Sequence, residues 1–114
     1  MTYTILHNPT CRKSRETLAL LSDHTKDIEI IEYLSNVPTH AELKAIIKKL
    51  GTSAEQLLRK GEEDFKTHFK GKQLSEDEWI SAMIAFPKMI ERPVVIKGDK
   101  AILGRPPENV KDLF

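Results

Sequence analysis

The stretch TYTILHNPTCRKSRETLALL, Thr2–Leu21, changes character twice within one short run. Tyr3, Thr4 and Ile5 are β-formers, and the HNPT that follows is a turn signal. From Arg12 the pattern is helical: Leu18, Leu21 and the small Ala19 are available for one face, and Arg12, Lys13, Arg15 and Glu16 carry charge. Beyond it, DIEIIEYL (Asp27–Leu34) alternates well enough to be a second strand. Strand, helix and strand in that order favour a parallel βαβ unit, because parallel neighbours need a crossover connection.

The middle of the chain is helical. Thr39 with Glu42 forms a capping-box signature ahead of Leu43, Ile46, Ile47 and Leu50, and Gly51 supplies the stop. A second such pair, Thr52 with Glu55, opens a short segment carrying Leu57 and Leu58. Phe65 and Phe69 suggest a turn or two of helix within Glu62–Lys72. Ser75 with Glu78 caps another helix, with Trp79, Met83 and Phe86 as its stripe, Ile80 and Ile84 beside it, and Pro87 as its end. The period then returns to two. Pro93–Ile96 and Ala101–Leu103 flank Gly98-Asp99, a two-residue hairpin signal, and a short helix with Val110, Leu113 and Phe114 follows GRPP. The fold class expected is α/β: a βαβ unit, a helical insertion at about residues 38–90 between the second and third strands, then a β-hairpin and a helix. With no repeat or low-complexity linker, residues 1–114 read as a single domain.

A chain of 114 residues can bury a real core without staples. A net charge of +1 gives no reason to expect nucleic acid or a membrane as partner. No apolar run approaches the ~20 residues that span a bilayer, and the N-terminus lacks the basic region and cleavage site of a signal peptide. A single cysteine forms no internal disulfide, which agrees with a reducing, cytoplasmic location.

That cysteine, Cys11, stands where the first strand hands over to a helix. A helix N-terminus carries partial positive charge and free N–H groups, and Arg12, Lys13 and Arg15 add to it. All of these act to lower a thiol pKa, which matters because an ordinary cysteine is only a few per cent thiolate at pH 7. The tight HNPTC turn offers two readings of His7. Its imidazole folds back protonated beside the thiolate, with its own pKa raised, or it closes the strand and hydrogen-bonds the turn. His24, His40 and His68 fall in separate segments as surface residues, and no Cys/His/carboxylate spacing resembles a metal site. Arg15 is too close to Cys11 for a C-x5-R phosphatase loop. The second position of a C-x-x-C is occupied by Ser14, so any redox chemistry takes its second thiol from outside.

Arginine is scarce beside lysine, and its planar fork suits an oxyanion. Beyond the thiol loop there are three: Arg59 after QLL, Arg92 before Pro93, and Arg105 before Pro106. Each reads either as an ordinary surface residue, the default for an arginine, or as one placed where a loop can face the Cys11 turn.

HNPTCRKSRETL, LLRK, ERPVV and LGRPPE, in this order, resemble the ArsC family of glutaredoxin-coupled arsenate reductases and their short relatives, over essentially the whole chain. That resemblance implies a thioredoxin-like core with a helical insertion and no bound cofactor or metal. It implies Cys11 as nucleophile on arsenate or a related oxyanion, His7 as the group that lowers its pKa, and Arg59, Arg92 and Arg105 as ligands of the oxyanion and its adduct. Ser14 and Arg15, in the thiol loop, are counted with them as substrate-binding. Glutathione and glutaredoxin are the external reductants implied, and a monomer is expected. Two alternatives share the fold: a glutaredoxin-like monothiol oxidoreductase acting on glutathionylated proteins, and an Spx-like regulator that binds RNA polymerase, whose C-x-x-C switch Ser14 prevents from closing.

Overall fold

The computed structural model describes residues 2–114. Two compact units make up the chain. The first joins residues 1–36 to 92–114, and the second is residues 37–91.

In the first unit, strand β1 (Tyr3–Leu6) leads into helix α1 (Arg12–His24), which returns to strand β2 (Ile28–Ile31). Strands β3 (Val94–Lys97) and β4 (Lys100–Leu103) form a hairpin. The sheet order is β2-β1-β3-β4, with β1 parallel to β2 and antiparallel to β3. Tyr3 and Ile5 pair with Lys97 and Val95 on one side and with Ile28 and Ile30 on the other. Residues two apart share a face, so Tyr3, Ile5 and Val95 converge with Leu21 of α1 and with Val110 and Leu113 of the C-terminal segment in one buried cluster. Burying each large aliphatic side chain there contributes roughly 1.5–3 kcal/mol. Tyr3 places its ring in this core and donates its hydroxyl to the Leu113 carbonyl at 3.1 Å. Gly98 takes the left-handed position of the hairpin turn, φ 61°.

Two expectations shift in detail. Strand β2 is shorter than Asp27–Leu34, because the Glu32 carbonyl is taken by the N–H groups of Ser35 and Asn36, which turns the chain. The last helix is of 3-10 type, Pro107–Leu113, and Phe114 lies beyond it, half exposed with the His24 ring stacked on it. Strand β2 is an edge strand, and Ile30 on it is 50% exposed beside the exposed Glu29.

In the second unit, α2 (His40–Leu50) and α4 (Glu76–Ala85) each open on a complete capping box, Thr39 with Glu42 and Ser75 with Glu78. The boxes hold both glutamate carboxyls below their usual range, because backbone and side-chain donors of Thr39 and Ser75 favour the charged forms. Gly51 ends α2 in the left-handed conformation, φ 71°. Leu43, Ile46, Ile47, Trp79, Ile80 and Met83 are buried as their spacing predicts. Between these helices lie a 3-10 turn (Glu55–Leu57) and the short helix α3 (Glu63–His68). The capping pair ahead of that turn is Ser53 with Gln56, one residue on from Thr52 with Glu55. Ser53 N–H donates to Gln56 Oε1 at 3.1 Å and Gln56 N–H to Ser53 Oγ at 3.4 Å. The sequence offers both registers of S/T-x-x-E/Q, and only one can be used. Leu58 bridges Ile90, and flanking backbone bonds tie Arg59 to Met89 and Glu91 to Leu57.

Candidate active site

Cys11 is the N-cap residue of α1, with extended backbone (φ −93°, ψ 123°). The Asn8 side chain shapes the loop before it, accepting from both the N–H and the hydroxyl of Thr10, an Asx turn that holds the chain on the approach to the helix. Cys11 N–H donates to the Asn8 carbonyl and its own carbonyl accepts from Arg15 N–H, so the residue is fixed on both sides. Its side chain makes no capping hydrogen bond as a thiol, and the first turn of α1 contains no acidic residue. The helix start is therefore left electropositive around the sulfur.

The thiol pKa is lowered. Burial pushes it up, and this is the largest single influence. The Ser14 N–H, the charge of Arg92, the Lys13 N–H and a hydrogen bond from Arg92 oppose burial and together outweigh it. A sulfur largely buried at a helix start, with one guanidinium beside it, is a setting that favours the thiolate.

His7 is held by the turn. Its Nδ1 lies 2.7 Å from Ser14 Oγ, which also accepts from the Asn8 N–H at 3.0 Å. The imidazole pKa is lowered, by burial first, with Glu32 acting against that and Arg15 with it. This direction is opposite to the raised pKa of a protonated ring beside the thiolate. Of the two readings of His7, the contacts match the one in which it closes the strand and bonds the turn. Because one of its partners is buried Ser14, His7→Ala is expected to cost about 1–3 kcal/mol of stability. It should move the pH profile of Cys11 alkylation far less than loss of Arg92 does. A profile moved as far as that of a free cysteine would restore the imidazole as a charge partner.

Ser14 also differs from expectation. It is fully buried and its hydroxyl is committed to His7 and Asn8, so its contribution toward the sulfur is its backbone N–H and not a side-chain ligand. Arg15 is exposed and donates to the Pro9 carbonyl at 3.0 Å, bracing the loop. Arg92 and Arg105 are brought together, with Arg105 Nη1 donating to the Arg92 carbonyl at 3.3 Å, and both precede prolines joined by cis peptide bonds. Arg59 belongs to the second unit. There its Nη1 approaches Glu62 at 3.3 Å and the Lys88 carbonyl at 3.4 Å, with Nε 4.0 Å from Glu91. Those acidic neighbours were not singled out from sequence, although Glu62 is only one helical turn away. Thr17 and Gly104 are buried where α1 meets the Pro93 turn, a contact that the motifs containing them do not reveal.

Among the described residues no cluster of His, Cys, Asp and Glu could hold a metal ion, and no helix is long and apolar enough to cross a membrane.

Residues 6–113 match the ArsC family. An arsenate reductase of Haemophilus influenzae is 45% identical over 118 aligned positions that cover all of both chains. The Escherichia coli protein YfgD, described as uncharacterized, is 42% identical over 96% of this chain and 93% of its own length. The solved structure of an arsenate reductase from Vibrio cholerae superposes with a TM-score of 0.95 at 42% identity, covering 100% of this chain and 98% of the other. Sheet order, helix placement and these likenesses agree on a thioredoxin-like α/β fold, and the chain belongs to the ArsC family.

Proposed function

We propose that this protein is an arsenate reductase in which Cys11 is the nucleophile and glutathione and glutaredoxin supply the electrons. The observation that carries the reading is the sulfur at the N-cap of α1, with the Ser14 and Lys13 N–H groups and the Arg92 guanidinium all favouring its charged form. The same donors suit a tetrahedral oxyanion and the charge that builds on it during attack.

The thiolate attacks arsenic(V). A sulfur–arsenic bond forms, an arsenic–oxygen bond breaks, and the departing oxygen takes up protons and leaves as water. Glutathione condenses on the adduct with loss of a second water. A sulfur–sulfur bond then forms between glutathione and Cys11 as two electrons pass to arsenic, which leaves as arsenite. Glutaredoxin takes the glutathionyl group by thiol–disulfide exchange and returns Cys11 to the thiolate. With Cys11 as the single cysteine, no internal thiol can do this. Arg92 and Arg105 hold the oxyanion, Arg15 adds positive charge at the loop, and Arg59 enters on the family resemblance. His7 acts through Ser14 by holding the turn. A glutathione-dependent cycle places the protein in the reducing cytoplasm, where it works as a monomer without a bound cofactor.

The test is NADPH consumption with arsenate, glutathione, glutaredoxin and glutathione reductase. Oxidation that requires both arsenate and this protein is the expected result. If Cys11 alkylates as an activated thiol while arsenate gives no turnover, the arsenate assignment is overturned, and a monothiol oxidoreductase acting on glutathionylated proteins takes its place.

A further inference from the structure

Gly104 lies between β4 and Arg105, and its backbone conformation does not demand glycine. Its surroundings do. A Cβ at this position would lie 2.5 Å from Thr17 Oγ1, 2.9 Å from Thr17 Cγ2 and 2.8 Å from Pro93 Cγ. Thr17 is fully buried on α1, the helix that Cys11 opens. Its hydroxyl donates to the Lys13 carbonyl at 2.8 Å and also reaches the Gly104 carbonyl at 3.3 Å. Gly104 N–H in turn donates to the Pro93 carbonyl at 2.9 Å.

Three segments therefore meet at one point without a spare atom between them: the thiol helix, the turn that carries Arg92, and the turn that carries Arg105. Neither neighbour of Gly104 can swing aside, because Thr17 is β-branched and Pro93 is a closed ring. We propose that Thr17, Gly104 and Pro93 are positioning residues that set the spacing between α1 and the two arginine turns, and so hold Arg92 and Arg105 in place for Cys11. Thr17 also fixes the first turn of α1 from within, since the carbonyl it binds belongs to Lys13, whose N–H serves the sulfur. Contacts of this kind lose effect steeply with small displacements, because Coulomb attraction and hydrogen-bond geometry both depend on distance. The inference rests on Cys11 being an activated thiol, not on the identity of the oxyanion.

The single cysteine makes the test direct, since alkylation by iodoacetamide across a pH series reads Cys11 alone. In the parent protein the profile should lie below that of a free cysteine; a parent profile like that of free cysteine would sink the activated-thiol reading itself. Given that baseline, Gly104→Ala is expected to shift the profile to higher pH and slow alkylation at pH 7 by at least about threefold, as thiolate is lost. Combining it with Thr17→Ala removes two of the three close contacts and should recover part of the rate. A folded Gly104→Ala protein with a lower melting temperature but the parental profile would show that the glycine serves packing alone. If Gly104→Ala does not fold, Thr17→Ala decides alone, because it opens space instead of closing it. A shift to higher pH supports the spacing role, and the parental profile overturns it.

Discussion

Cys11→Ser is expected to lose arsenate turnover by at least about 10⁴-fold, because a hydroxyl without an adjacent base is a poor nucleophile. The same protein should melt no lower than its parent at acidic pH. Serine is among the preferred N-cap residues, and its oxygen can accept from the second or third N–H of the helix, a bond worth about 0.5–2 kcal/mol that the thiol does not make. The comparison should change with pH in a definite direction. The folded thiol pKa lies below its unfolded value, so thiolate stabilisation of the parent is fully present above the unfolded pKa and is lost as pH falls through the folded one. The advantage of serine is accordingly largest in acid and shrinks in alkali. Melting curves at several pH values, beside the coupled NADPH assay, read both halves. Turnover within tenfold of the parent would remove Cys11 from the chemistry.

Arg92→Ala should have the second largest effect, about 10²–10³-fold in kcat/KM, the scale of losing a charged donor to a developing oxyanion. Arg92 is the guanidinium that opposes burial at Cys11, by its charge and by a hydrogen bond. Without it the thiol pKa should rise and less thiolate be present at pH 7, so kcat falls as KM rises. Arg92→Lys keeps the charge but not the planar fork, and should recover the alkylation profile better than it recovers the KM for arsenate. The Arg92 carbonyl that receives Arg105 is backbone and survives either change. An Arg92→Ala enzyme with the parental alkylation profile would contradict the electrostatic role.

Local signals made much of the fold legible. The boxes at Thr39 and Ser75, the stop at Gly51 and the turn at Gly98 each depend on a few adjacent residues, and each stands where its spacing puts it. Where a local rule had two solutions, as at Thr52 and Ser53, pattern alone could not choose. The length of β2 depended on who receives the Glu32 carbonyl. The position of Cys11 at a helix start was readable for the same local reason. Its partners were not. Arg92 reaches the thiol because β3 pairs with β1 across most of the chain, and His7 meets Ser14 because the turn closes inward. Gly104 stands within LGRPPE, but its steric role was not legible, since a glycine required by a neighbour's side chain looks like any other until that neighbour is known.

The first unit is assembled from the two ends of the chain, with residues 37–91 between them. Synthesis delivers the sulfur early and Arg92, the strand that seats it, and Gly104 late. A nascent chain thus holds Cys11 without its guanidinium until the final segment pairs with β1, and a fragment lacking that segment keeps only the helix N–H groups beside the sulfur. Full lowering of the thiol pKa is in this way tied to completion of the sheet.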